Sequence, residues 1–290
     1  MTDTGPDVEI VEVGPRDGLQ NEPRLIPAAG KIALIDRLSE CGFRRIEAAA
    51  FVSPRAVPQM ADAAEVLAGI RRRPGVRYGA LTPNLRGFEA ARAAGADEVA
   101  VFASASEGFS RKNINCSVAE SLARFAPVLE AAKAAGIPVR GYVSCVTDCP
   151  WDGPVAPAAV ARVTRALFEM GCFEVSLGDT IGAGTPETVA RMLDAVLAEA
   201  PADMLAGHFH DTSGRALENI AVSLEAGLRV FDASVGGLGG CPYAPGAKGN
   251  ADTLAVHDML AARGLSTGLD AEKLARAAAF ALSLNEPEDA

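Results

Sequence analysis

The chain has 290 residues, 49% of them hydrophobic and 22% charged, enough to bury a sizeable core, which excludes a disordered or low-complexity polymer. Its net charge of −10 argues against a general nucleic-acid binder, whose footprint is a basic face. Neither a run long and apolar enough to span a bilayer nor a basic-then-apolar leader is legible, so membrane insertion and secretion are not expected and the expected compartment is the cytoplasm.

Eight apolar, β-branched runs alternate with Ala-, Leu- and Arg-rich stretches of helical spacing, the pattern of βα units. The first, residues 8–13, ends in Gly14-Pro15-Arg16-Asp17-Gly18-Leu19-Gln20. The second, 44–52, contains Glu47; the third spans 76–81. The fourth, 98–103, leads towards Arg111 and Lys112, and the fifth spans 139–145. The sixth, 173–177, runs into Gly178-Asp179-Thr180. The seventh, 204–210, carries His208 and His210, and the eighth, 230–235, opens into a glycine-rich stretch holding Cys241, Lys248 and Asn250. Five intervening helices are predicted to stop at Gly42, Gly95, Gly136, Gly171 and Gly227, where a left-handed residue ends a helix. Eight such units predict an α/β fold, a (β/α)8 TIM barrel of the usual length of about 250 residues, over an open doubly wound sheet. The barrel is expected over about residues 8–265, with an additional C-terminal helical segment over about 270–285 and a polar tail beyond it, all within one domain covering 1–290.

Chemistry concentrates at strand ends. Side chains two apart on a strand share a face, so His208 and His210 can meet one metal ion; the third and last histidine, His257, falls in a predicted helix. Two unrelated histidines on a half-buried strand are the other reading of a bare HxH. In a barrel the active site forms at the carboxyl ends of the strands, which brings Asp17 and Asn250 to the same mouth. Two imidazoles, a carboxylate and an amide oxygen suit a divalent ion with open positions, Mg or Mn, over a closed structural zinc site. A turn cap is the alternative role of Asp17. Arg16 can stabilise an oxyanion or enolate, or serve as a structural salt bridge. Glu47 and Asp179 can relay protons, or orient Arg16 and metal-bound water, or form a plain ion-pair network. Cys241 can exchange a proton at carbon or be inert. The six cysteines read as reduced thiols; Cys145 and Cys149 lack the second pair that a zinc knuckle needs, and Cys41 and Cys172 read as packing residues.

The stretches VEVGPRDGLQNE, FVSPRAVPQM, LTPNLRGFEAA, KNINCS, RGYVSC, SLGDTIGAGTP, HFHDTSGRAL and GLGGCPYAPGAKGN closely resemble the hydroxymethylglutaryl-CoA lyase family of the DRE-TIM metallolyase superfamily, from about residue 8 to about residue 282. The resemblance implies that Asp17, His208, His210 and Asn250 bind the divalent ion, usually Mg or Mn. It implies that Arg16 contacts the thioester carbonyl, that Cys241 is the catalytic thiol, that Glu47 and Asp179 support proton transfer, and that Gln20 lines the site. The implied reaction is a retro-Claisen cleavage of (S)-3-hydroxy-3-methylglutaryl-CoA to acetoacetate and acetyl-CoA, by a homodimer with a small acyl-CoA as its partner and no nucleic acid or membrane. Arg111, Lys112 and Lys248 are then candidates for attracting CoA phosphates, with solvated surface charge as the alternative.

Three features depart from the family pattern. No mitochondrial-type N-terminal extension is legible, which fits a bacterial cytoplasmic enzyme, and no C-terminal extension with a bridging cysteine follows. Lys248 stands where relatives carry a small residue, which puts the acyl group in question. The rival readings are a lyase for citramalyl-CoA or a longer branched glutaryl-CoA, a Claisen condensing enzyme, and a non-catalytic CoA- or metal-binding protein.

Overall fold

The computed structural model describes residues 5–239 and 249–285. Eight parallel strands close into a barrel: β1 (Glu9–Glu12), β2 (Arg45–Ala50), β3 (Arg77–Leu81), β4 (Glu98–Ser104), β5 (Val139–Ser144), β6 (Glu174–Asp179), β7 (Leu205–Phe209) and β8 (Val230–Ala233). Each pairs with its neighbours in sequence, and β8 pairs with β1 from Glu9↔Val230 to Glu12↔Ala233. Every strand lies within two residues of its expected bounds. The added feature is a two-stranded antiparallel hairpin, Asp148–Cys149 with Gly153–Pro154, after β5. Strands of two residues are too short to show a period, which is why the sequence pattern passes over it.

The strands are buried on both faces, and alternation sorts them. Residues such as Ile10, Ile46, Val99, Val101, Val175, Leu177, Leu205 and Phe231 face outwards and form the core under the helices. The opposite parity, Arg45 and Glu47 on β2, Arg140 and Tyr142 on β5, Glu174 and Ser176 on β6, His208 on β7 and Asp232 on β8, faces the barrel interior, where these side chains meet across strands. The barrel centre is therefore charged and hydrogen-bonded where branched aliphatic layers are usual.

Ten helices are described: α1 (Ala28–Leu38), α2 (Ala63–Gly69), α3 (Leu85–Ala93), α4 (Glu107–Ile114), α5 (Val118–Ala135), α6 (Pro157–Met170), α7 (Pro186–Leu197), α8 (Ala216–Glu225), α9 (Thr253–Ala262) and α10 (Ala271–Ser283). Local sequence starts them: Asn84 and Ser106 cap α3 and α4, and Ser117 and Thr185 close capping boxes on α5 and α7. All five expected glycine stops have positive φ. At Gly42 the need is also steric, since a Cβ there would lie 2.4 Å from the Gly268 carbonyl oxygen. The expected C-terminal segment is α10, which packs on α1 and on the turn Val235–Gly237 leading out of β8. Among the described residues no helix is long and apolar enough to cross a membrane.

Candidate active site

The site is built on the wide π-type helical turn Gly14–Gly18 that follows β1. The Val13 carbonyl accepts from Arg16 N, Asp17 N and Gly18 N at 3.1, 2.7 and 3.2 Å; such turns are rare and, where they occur, are frequently at functional sites. Below it the buried Glu12 carboxylate clasps three elements, receiving Gly14 N (2.7 Å), Val235 N (2.9 Å) and Thr253 Oγ1 (2.8 Å). Gly18 fits because a Cβ there would lie 2.6 Å from Ser234 Oγ. The turn is thus pinned to the end of β8 and the start of α9.

From this turn Arg16 and Asp17 enter the mouth side by side. Arg16 Nε donates to Glu47 Oε2 at 2.6 Å, its Nη1 pairs with Asp17 Oδ1, and its guanidinium lies 5.6 Å from the Tyr142 ring centroid. Tyr142 OH donates to the same Glu47 oxygen at 3.3 Å. Asp17 Oδ2 faces the histidines: His208 Nε2 and His210 Nε2 are each 3.8 Å away. Asn250, bridged to His210 through the backbone, reaches the same oxygen with Nδ2 at 2.8 Å. Burial alone would raise the Asp17 carboxyl, but Arg16 and the two histidines outweigh it and hold it well below the usual carboxylate range. At Glu47 burial wins over Arg16 and the carboxyl is raised. His208 is raised in spite of burial, through Asp232 and Asp17.

These donors fit a divalent cation. The donor atoms of Asp17, His208 and His210 lie within 4.8 Å of one another. Two ligands on one ion with bonds of about 2.1 Å stand between ~3.0 and ~4.2 Å apart, and the 3.8 Å separations fall in that window. Asn250 can join only through its amide oxygen, since the nitrogen that now donates to Asp17 has no lone pair to offer.

A cavity of about 500 Å³ opens at the carboxyl ends of the strands and contains Arg16, Asp17, Gln20, His208 and His210 in its lining. Glu47 stands behind Arg16. Asp179 does not join them: three residues beyond the inward-facing Ser176, it has the opposite parity, and its carboxylate receives Thr147 Oγ1 (3.0 Å) and Gly184 N (2.9 Å). The expectation that it orients Arg16 is corrected; Glu47 and Asp17 do that. Arg111 and Lys112, both exposed on α4, are not among the lining residues; Arg111 lies roughly 200° around the helix from the cavity-lining Phe109 and 3.7 Å from Glu107. Cys241 and Lys248 lie outside the described residues.

Several lining residues escaped the sequence reading: Tyr142, Asn113 and Arg124. Arg124, on α5, donates Nη1 to the Ile114 carbonyl at 3.0 Å and so stands at the rim where α4 ends. An arginine in a helical stretch reads as a solvated face, and only the packing of α4 on α5 puts it at the mouth.

The family model described as HMGL-like matches residues 7–281. A Bos taurus protein named mitochondrial hydroxymethylglutaryl-CoA lyase is 60% identical, over 94% of this chain and 84% of its own length. A Pseudomonas aeruginosa protein named 3-hydroxy-3-isohexenylglutaryl-CoA/hydroxy-methylglutaryl-CoA lyase is 59% identical, over 92% of this chain and 90% of its own. The solved structure of the HMG-CoA lyase from Brucella melitensis has a TM-score of 0.96 and 66% identity, covering 98% of this chain and 100% of that one.

Proposed function

The chain belongs to the HMGL-like family, and from that premise we propose that it is a carbon–carbon lyase that cleaves (S)-3-hydroxy-3-methylglutaryl-CoA into acetyl-CoA and acetoacetate. One geometric fact supports this above all: adjacent residues of a single turn serve both halves of such a reaction. Arg16 presents a guanidinium to a developing anion, and Asp17 presents a carboxylate to a pair of imidazoles.

The residues that would hold a divalent ion, Mg or Mn, are Asp17, His208, His210 and Asn250; when bound it supplies Lewis acidity towards the substrate hydroxyl. In the cleavage the C3 hydroxyl gives up its proton to the Cys241 thiolate or the Asp17 carboxylate, the O–H bonding pair forms the ketone of acetoacetate, and the C2–C3 bonding pair passes to the thioester α-carbon. Arg16 meets the thioester oxygen as it becomes enolate, in an orientation fixed by Glu47. Cys241 returns a proton to the α-carbon, which completes acetyl-CoA. Asp179 supports the site indirectly: through Gly184 it holds the loop after β6, whose Gly182 lies against the His210 carbonyl. Gln20 lines the cavity, and Arg124, at its rim, takes the role first expected of Arg111 and Lys112 in attracting CoA phosphates, a role the sequence also suggests for Lys248.

The cavity lining includes the apolar side chains Val52, Val57, Leu81, Phe102 and Phe125 beside polar ones such as Asn84 and Asn113. Together with the isohexenylglutaryl-CoA named for the Pseudomonas aeruginosa relative, this favours a second reading in which longer C3 substituents are accepted. A cytoplasmic homodimer is the expected state, which light scattering on the purified chain measures. The deciding experiment incubates metal-stripped protein with a panel of 3-hydroxyacyl-CoA thioesters, with and without Mn²⁺, and identifies products by mass spectrometry. Metal-dependent release of acetyl-CoA and acetoacetate is expected; intact 3-hydroxy-3-methylglutaryl-CoA under all conditions would defeat the proposal.

A further inference from the structure

Beneath the site runs a string of buried charges that the cleavage itself does not use. Arg45 pairs with Glu174 (2.8 Å), Glu174 with Arg140 (2.7 Å) and Arg140 with Asp232 (2.8 Å). Apolar side chains of similar volume often stabilise an interior as well as a buried ion pair does, so stability is a poor account of four charges in a barrel. Their upper end is more informative. Asp232 on β8 pairs in register with His208 on β7; its Oδ2 accepts from Ser176 Oγ at 2.8 Å and lies 3.1 Å from His208 Nδ1.

We propose that Asp232 is a positioning residue: anchored by Arg140 and Ser176, it holds His208 in the Nδ1–H tautomer and so turns Nε2 towards Asp17 as the metal-binding atom. The assignment rests on the metal reading above but describes a property of the metal-free protein. A carboxylate paired with a guanidinium is ionised and offers only acceptors; Arg140 is ion-paired with Asp232 and Ser176 donates to it, so the imidazole nitrogen facing it must carry the proton. Neutral His208 then keeps its lone pair on Nε2, 3.8 Å from Asp17 Oδ2. Tyr142 stands edge-on to the imidazole at 6.1 Å between centroids and 83° between planes, which limits rotation of the ring. The opposite tautomer would point an N–H at the cation.

The test is ¹⁵N NMR of histidine side chains in the metal-free full chain at alkaline pH, where the imidazoles are neutral. Three histidines make assignment direct, with His257→Gln and His210→Gln as references. His208 is expected as Nδ1–H in the wild type and as Nε2–H in Asp232→Asn, whose amide donates where the carboxylate accepted. The same variant should bind Mn²⁺ about 10- to 100-fold more weakly by calorimetry, a change that a purely structural role for Asp232 would not produce in a folded variant. A wild-type His208 in the Nε2–H form, or a folded Asp232→Asn with unchanged tautomer and Mn²⁺ affinity, overturns the assignment. Should Asp232→Asn fail to fold, Ser176→Ala, which removes one anchor only, must loosen the tautomer preference; an unchanged spectrum together with unchanged Mn²⁺ affinity overturns it. Absence of Mn²⁺ binding by the wild type would defeat the metal reading, whereas a tautomer that switches with Asp232 would still uphold the positioning role.

Discussion

At the scale of single residues, Arg16 and Asp17 divide the work because they differ in what else holds them. Arg16 is fixed on one edge by Glu47 and on another by Asp17, so a lysine, with one point charge, can satisfy only one of these partners while facing substrate. Arg16→Lys is expected to lower kcat about 100- to 1000-fold, the loss typical of one oxyanion donor, with metal affinity little changed. Retention of most of the wild-type turnover would refute the enolate-binding role. Cys241→Ala should lower kcat far more than it alters KM, because a proton delivered to carbon is a transition-state interaction; steady-state kinetics on a refolded, metal-loaded variant decides it. Arg16 and Asp17 were legible in the sequence, since they follow the end of the first barrel strand. Asp232 and Tyr142 were not, because a charged or phenolic side chain inside a strand gives no sign of which face it takes.

Among the elements, the turn Gly14–Gly18, the end of β8 and the start of α9 are joined by one carboxylate, that of Glu12. Burial raises this group to about 7, more than its three hydrogen bonds lower it. A folded-state pKa above the unfolded value gives a stability contribution that is whole below the unfolded pKa, near 4.5, and is lost as pH rises through about 7. The size is about 3 kcal/mol, from 1.36 kcal/mol per pKa unit. Urea melts of wild type and Glu12→Gln between pH 5 and 8 should therefore converge on different slopes, with the wild type losing stability towards pH 8 relative to the variant; parallel profiles would remove Glu12 from the account. The helices after β4 give a second test. Arg124→Ala should raise KM for the CoA thioester with a smaller change in kcat, an effect that shrinks at high salt, whereas Arg111→Ala should do neither. Strand positions and helix ends were legible because alternation, caps and glycines are local signals. The ion string was not: Arg45 and Glu174 are 129 residues apart, and no local pattern reports a pairing that only barrel closure creates.

For the molecule as a whole, the candidate ligands join parts of the chain that only the closed barrel brings together. Asp17 follows β1, His208 and His210 belong to β7 and its end, and Asn250 follows β8, while β8 itself lies between β1 and β7 in the sheet. An ion held by all four clamps three consecutive strands at the mouth and finds no equivalent site in the unfolded chain, so its binding free energy adds to stability. At a free metal concentration of about 100 times Kd the gain is ~2.7 kcal/mol. For a chain of this size that corresponds to a rise in Tm of about 5 °C, at the low end of the shift per kcal/mol because the unfolding entropy grows with length. Calorimetric scans of metal-stripped protein, of protein with Mn²⁺, and of the same sample after excess chelator should show Tm rise and then return. His210→Gln should abolish most of the rise without a matching loss in the metal-free Tm, which separates a missing ligand from a damaged fold. A Tm that ignores both metal and chelator, in a protein that still turns over, would mean that Asp17, His208 and His210 meet for a reason other than a cation.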